Sequence, residues 1–244
     1  MTTIAHISDL HINKTTFNED VFKEVVNQIN ELNPDMIILT GDLTDNGYYV
    51  EFSMATEYLN MFESPLFPVP GNHDARNVGY EVFEDLIGKL SWVLTKDNDL
   101  TVIGLDSSDP DLDTGHIGRP QQLWMESELN KCFMDSRFSI VAMHHHVIPV
   151  PKTGRERNVL SDAGDILQSL VENNVDIVMC GHKHVPYLWK MENTLFVNGG
   201  STSSIKLRGN DINSYNTYEI TDNHIDILLN QVNGNKLSLG KFNR

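Results

Sequence analysis

Five short clusters of Asp, Asn and His stand out along the chain. They are Asp9-Leu10-His11, Gly41-Asp42-Leu43-Thr44-Asp45, Gly71-Asn72-His73-Asp74, His144-His145-His146 and Gly181-His182-Lys183-His184. Imidazole nitrogen with carboxylate and amide oxygen, and no thiolate, suits Mn²⁺, Fe²⁺/Fe³⁺, Zn²⁺ or Ni²⁺ rather than softer metals or clusters. A D-x-H triplet, or Gly-Asp after a strand, is common on its own. Three consecutive histidines and Gly-His-Lys-His carry more weight, because clustered His favours metal sites. All five in series are hard to reach by chance.

Each cluster follows a stretch that reads as a strand: residues 3–8, 36–40, 66–69, 139–143 and 175–180. The ends of strands are where open α/β sheets bind ligands. A spacing of two on extended backbone points Asp9 and His11 to one side, within reach of one metal. Between the strands lie helical patterns. Residues 19–32 place Val21, Phe22, Val25, Val26, Ile29 and Leu32 at helical spacing, and Asn33-Pro34 stops them. Further helices are predicted over 49–62, from Pro120 to about Phe133, and over 162–173. Leu90–Thr95 and Leu100–Asp106 read as a hairpin. After residue 184 the pattern is mostly β, with strands at 187–191, 195–197, 215–220 and 225–230. The alternation predicts an α/β architecture.

The 244 residues are read as one domain over 1–244, without linker, repeat or low-complexity segment. A net charge of −16 argues against broad binding to nucleic acid or to an anionic membrane. No apolar run approaches a membrane span. The N-terminus carries no secretory pattern, and Cys132 and Cys180 read as reduced, buried thiols, so a cytoplasmic location is expected. His6, inside the first strand, reads as a satisfied core histidine.

The ordered set D-x-H, G-D-x-x-D, G-N-H-D, H and G-H-x-H resembles the signature of calcineurin-like metallophosphoesterases. It spans residues 9–184 with no element missing. Spacing and loop content look closest to the class III cyclic-nucleotide phosphodiesterase and glycerophosphodiesterase branch. The resemblance implies a four-layer α-β-β-α sandwich with two mixed β-sheets, the segment after residue 184 completing the second sheet. It also implies two metal ions, one held by Asp9, His11, Asp42 and His184, the other by Asp42, Asn72, His144 and His182. Asp42 is then the bridge. His144 is taken as the ligand because it comes first after the strand, with His145 as the alternative.

Two divalent ions with two carboxylates and one hydroxide leave such a site net positive and ready for a phosphate anion. The expected reaction is attack of a metal-bridging hydroxide on phosphorus, in line with the leaving group. His73, not a ligand in this pattern, is free to protonate the departing alkoxide or to steady phosphate charge. Asp74 either orients His73 or caps the following turn. Asp45 is expected to brace the metal loop.

The loop 147–161 is too long for a plain connector and carries Lys152, Arg155 and Arg157. Arg155 and Arg157 on it, and His145 just before it, are expected to touch substrate. Ion pairing of the basic residues with Glu156, Asp162 or surface acids is the alternative. Arg119, His116, Lys206 and Arg208 are weaker candidates of the same sort. The substrate is expected to be a small phosphoester, most naturally a diester. A phosphomonoesterase or nucleotide-pyrophosphate hydrolase on the same core is the alternative, and an inactive protein-binding scaffold the non-enzymatic one. The sequence leaves the oligomeric state open, with a homodimer among the options.

Overall fold

The computed structural model of the chain describes residues 1–97, 99–154, 158–208 and 211–244. The first half runs β1 (Thr2–Ile7), α1 (Glu19–Leu32), β2 (Met36–Thr40), α2 (Tyr49–Leu59), β3 (Leu66–Val69), α3 (Gly79–Leu86), β4 (Trp92–Lys96) and β5 (Leu100–Gly104). Next come α4 (Gly118–Met134), β6 (Phe138–Ala142), α5 (Ala163–Glu172) and β7 (Ile177–Cys180). The remainder is β8 (Tyr187–Met191), β9 (Thr194–Asn198), β10 (Ser214–Ile220), β11 (His224–Gln231) and β12 (Lys236–Asn243). The expected elements are present, with ends shifted by a few residues. Two were not expected, α3 and β12.

These strands form two six-stranded mixed sheets, in the orders β12-β11-β10-β1-β2-β3 and β4-β5-β6-β7-β9-β8. Period-2 alternation splits their side chains between two environments. Ile4, Met36 and Ile38 face between the sheets with Val102, Ile140, Met179, Val197 and Tyr218. Their neighbours Ala5, Ile7, Ile37 and Leu39 face outward, where they meet Phe22, Val25, Phe52 and Phe83 of α1–α3. On the far side, Val141 and Val178 meet Met125, Leu129, Ile166 and Leu170 of α4 and α5. The result is the expected four-layer α-β-β-α sandwich. His6 sits in it as a satisfied core residue, 1% exposed, with its ring nitrogens on Tyr218 Oη and Thr40 Oγ1.

Helix α1 shows how local sequence sets this up. Asn18 caps it, accepting from Val21 N at 3.2 Å, and Glu19 and Asp20 favour the positive end of the helix dipole. Asn33 ends it in a left-handed conformation ahead of Pro34. Phe22, Val25, Val26 and Ile29 are buried on the first sheet, each stabilising by about 1.5–3 kcal/mol.

One topological expectation is overturned. The β-rich segment after residue 184 does not simply complete the second sheet. Strands β8 and β9 join it, but β10 pairs antiparallel with β1 and takes β11 and β12 into the first sheet. Just past β9, buried Ser201, Thr202 and Ser203 bond back to the loop after β1, including Thr202 N to Ser8 O at 2.9 Å.

Candidate metal centre

The parallel strands β1, β2 and β3 of one sheet and β6 and β7 of the other end at a common rim. All five sequence clusters leave from those ends. Extended backbone is not what aims the side chains. Asp9, His11, Asp42, His182 and His184 all have positive φ, between 50° and 71°. The chain turns sharply at each of them, and the turns are held by Asp9 N to Gly41 O (3.1 Å) and His11 N to Asp42 O (2.9 Å). Left-handed backbone outside Gly costs on the order of 1–3 kcal/mol per residue and persists where the surroundings over-determine it. Close approach also needs Gly71, where an added Cβ would lie 2.2 Å from Asp42 Oδ1.

These turns gather two donor groups, Asp9, His11, Asp42 and His184, and Asp42, His144 and His182. Asn72 belongs beside the second, its Oδ1 3.0 Å from both His144 Nε2 and His182 Nδ1. Asp42 Oδ2 lies 3.6 Å from His11 Nε2 and 3.3 Å from His144 Nε2, so one carboxylate oxygen faces both groups.

The tautomers follow from what each ring touches on its outer side. His144 Nδ1 meets Thr40 O (2.7 Å), His182 Nε2 meets Asn158 O (2.7 Å), and His184 Nδ1 meets Lys206 O (2.5 Å). His11 Nδ1 meets Asp45 Oδ1 at 3.1 Å. These four partners can only accept, so each outer nitrogen donates, and each inner nitrogen is the one left to offer a lone pair when it gives up its proton. Two such nitrogens, His11 Nε2 and His184 Nε2, face each other at 3.0 Å. Histidines with one nitrogen tied to an oxygen acceptor and the other free are arranged as metal ligands.

Electrostatics agree. Asp9, His11, Asp42, Asn72 and His144 are at most 2% exposed, and two buried carboxylates are costly without nearby positive charge. Burial pushes the His144 imidazole down, yet Asp42 and Asp9 overcome it and hold it up at about 9. His184 is also raised, against burial, by Asp9. His11 is driven down to about 4, chiefly by burial, and His182 falls well below its ordinary value for the same reason. Within each donor group one imidazole is thus raised by the carboxylates and the other lowered by burial. Nitrogen and oxygen donors around such a centre fit two hard-to-borderline metal cations.

His73 stands at the edge of this cluster. Its backbone N–H donates to Asp42 Oδ1 (2.9 Å), and its Nδ1 donates to the Asp45 carbonyl (2.7 Å). The Arg76 guanidinium lies 3.0 Å from the same nitrogen. Burial lowers the His73 pKa, but Asp42 and the Asp45 contacts outweigh it and the net shift is upward.

Three expected roles change. Asp74 does not orient His73. Its carboxylate is fully buried and accepts from Leu43 N, Thr44 N, Thr44 Oγ1 and Gly71 N, locking the two metal loops together. His145 neither replaces His144 nor faces substrate. It is fully buried, with Nδ1 on Ser107 Oγ (2.9 Å) and Nε2 on the Asp113 carbonyl (3.3 Å). Arg155 and Arg157 lie outside the described residues.

Sequence reasoning missed Arg76 and Asp113, which pair at 2.5 Å, and gave no role to the three carbonyls that orient the histidines. Asp113 also accepts from Asn72 Nδ2 at 3.3 Å, turning the amide oxygen inward. Carbonyl roles leave no mark in residue type, so only coordinates reveal them. A cleft enclosing about 780 Å³ of open space leads to the cluster, lined among others by Asn72, His73, Asp113, Lys183, Lys206 and Arg208.

The calcineurin-like phosphoesterase family profile matches residues 2–186, which include every donor named above. The chain belongs to the calcineurin-like phosphoesterase family. Among its family relatives is a probable glycerophosphodiester phosphodiesterase GpdQ of Arcobacter nitrofigilis, 31% identical over 74% of this chain and 71% of that protein. A 3′,5′-cyclic-nucleotide phosphodiesterase of Nostoc sp. is 25% identical over 82% of this chain and 78% of its own. In fold, this calcineurin-like phosphoesterase is similar to a dimetal phosphatase from Danio rerio, with a TM-score of 0.76 at 10% identity over 98% of each chain. Lys206 and Arg208 lie beyond the matched region.

Proposed function

We propose that the chain is a metal-dependent phosphodiesterase whose first metal site is Asp9, His11, Asp42 and His184 and whose second is Asp42, Asn72, His144 and His182. The observation that carries the reading is the set of four imidazoles, each fixed outward by an oxygen acceptor and converging inward with Asp9, Asp42 and Asn72. Mn, Fe, Zn and Ni all suit these donors. When bound, two such ions supply Lewis acidity to the phosphoryl oxygens and a water acidic enough to attack near neutral pH.

The chain's own residues do the rest. Asp42 spans both sites. Asp45 orients His11 through its side chain and His73 through its backbone. His73, whose pKa is shifted upward, against burial, chiefly by Asp42 and the Asp45 contacts, is the group placed to pass a proton to the departing alkoxide oxygen. Asp74 fixes the relative position of the loops that carry Asp42 and Asn72. The preference for diesters is supported by relatives named as glycerophosphodiester and cyclic-nucleotide phosphodiesterases. The reading extends to one domain over 1–244. It also includes a cytoplasmic setting, in keeping with the free, buried Cys132 and Cys180. No helix among the described residues is long and apolar enough to cross a membrane.

The test is hydrolysis of bis(p-nitrophenyl) phosphate beside p-nitrophenyl phosphate, by chelated protein reloaded with Mn²⁺, Zn²⁺ or Fe²⁺. Metal-dependent turnover that favours the diester and vanishes in Asp42→Ala is expected. A preference for the monoester would move the assignment to a phosphatase.

A further inference from the structure

The chain holds 18 Lys and Arg against 34 Asp and Glu, yet Lys183, Lys206 and Arg208 all line the cleft that opens on the metal centre. The carboxylates there are already engaged. Asp42 faces His11 and His144, and Asp113 pairs with Arg76. Lys206 is engaged too, its ammonium bonded to Asp45. Arg208 differs. Its guanidinium is exposed, and among the described residues its side chain has one partner, the Thr153 carbonyl, 3.2 Å from Nη1. A carbonyl steadies the group without neutralising its charge. Of five N–H donors, four remain available in a fork that matches an oxyanion.

Arg208 is also held at a fixed offset from the chemistry. Two residues earlier, the Lys206 carbonyl accepts from His184 at 2.5 Å, and Ile205 N is bonded to Thr16 O at 2.8 Å. Two residues span at most about 7 Å between Cα atoms. The backbone of Arg208 therefore stays close to the carbonyl that orients His184, and its side chain lines the same cleft as His11, Asp42 and His184.

We propose that Arg208 forms a second anion subsite, which binds a further oxyanion group, a terminal phosphate foremost, on a substrate whose scissile phosphate sits at the metal centre. The proposal rests on the phosphodiesterase reading of that centre. It adds a substrate class, phosphodiesters carrying a second negative charge, and it lies on a loop outside the family-matched region.

The test is equilibrium binding of thymidine 5′-monophosphate and thymidine 3′,5′-bisphosphate to Mn²⁺-loaded protein. The bisphosphate should bind about tenfold tighter to the wild type, as one charge-assisted contact allows. Arg208→Gln should bring the ratio close to one, and Arg208→Glu should invert it. Lys236→Gln, on the outer edge strand, should keep the wild-type ratio. An equal ratio in wild type and Arg208→Gln overturns the subsite. Turnover of thymidine 5′-(p-nitrophenyl phosphate) by the same preparation reads the phosphodiesterase assignment separately. Its absence, with the binding ratio intact, would count against the reaction and not against the subsite.

Discussion

Asp45 Oδ1 accepts from His11 Nδ1 at 3.1 Å, while the Asp45 backbone carbonyl accepts from His73 Nδ1 at 2.7 Å. One residue thus orients a metal ligand with its side chain and the proposed acid with its main chain. Desolvation opposes ionisation of Asp45, but its bonds to His11, His73 and Lys206 win and keep it a carboxylate throughout the working pH range.

Separating the two roles gives the first prediction. Asp45→Ala removes the acceptor for His11 and the weaker 3.4 Å carboxylate contact to His73 Nδ1, and leaves the shorter bond from His73 to the backbone carbonyl. Loss of such an outer partner typically weakens metal affinity by about 10–100-fold. Titration calorimetry with Mn²⁺ on chelated protein should show this, and excess Mn²⁺ should restore most of the turnover. Turnover that stays low at saturating metal would place Asp45 in the chemistry itself.

The second prediction concerns His73. A general acid matters in proportion to how poor the leaving group is. His73→Gln should slow a diester with an alkyl leaving group by about 10²–10⁴-fold, and one with p-nitrophenolate much less. Rates measured on both decide the role. Equal losses would mean that His73 steadies phosphate charge instead of donating a proton.

Much of this site is legible in the sequence because residue type and strand ends carry it. Asp9, Asp42, His144 and His184 follow buried strands, and a buried strand announces itself by its apolar run. What the sequence hides is conformational. Nothing in Asp-Leu-His says that both flanking residues turn left-handed, and that turn replaces the extended geometry expected of them. Asp74 and Asp45 are chemically alike, so only packing tells which one faces His73. In the fold, β12 was hidden by a bulge. Pairing skips a residue between Ile227/Gly240 and Leu228/Ser238, so its apolar positions fall at Leu239 and Phe242 and break the period of two. Helix α3 is short, and it starts from Asn77 and Val78, both at positive φ, where no capping signal marks it.

His6 supplies the pH prediction. Burial lowers its pKa from 6.5 to about 3, against the weaker upward pull of Asp9. The folded value is depressed, so between pH 6.5 and 3 the unfolded chain binds a proton that the folded chain does not. Stability from this group is complete above pH 6.5 and is lost as pH falls through that window. From pH 7.5 to 5.5 the loss should be about 1.4 kcal/mol. Urea unfolding of wild type and His6→Gln at both pH values isolates it. Identical pH slopes in the two proteins would show that His6 is protonated in the fold.

The last prediction turns on the space beside the bridging carboxylate. A Cβ at Gly71 would sit 2.2 Å from Asp42 Oδ1 and 2.3 Å from Asp42 N, with backbone among the atoms that must give way. Gly71 N is also held by Asp74 Oδ2 at 2.9 Å, which resists a shift of the loop itself. Gly71→Ala should therefore move Asp42 off its position between His11 and His144, and both donor groups lose their shared member together. Metal content after reloading with excess Mn²⁺ should fall from two ions per chain to one or none, with the far-ultraviolet circular dichroism retained. Two ions bound at wild-type affinity would mean that Asp42 does not need this position to bridge them.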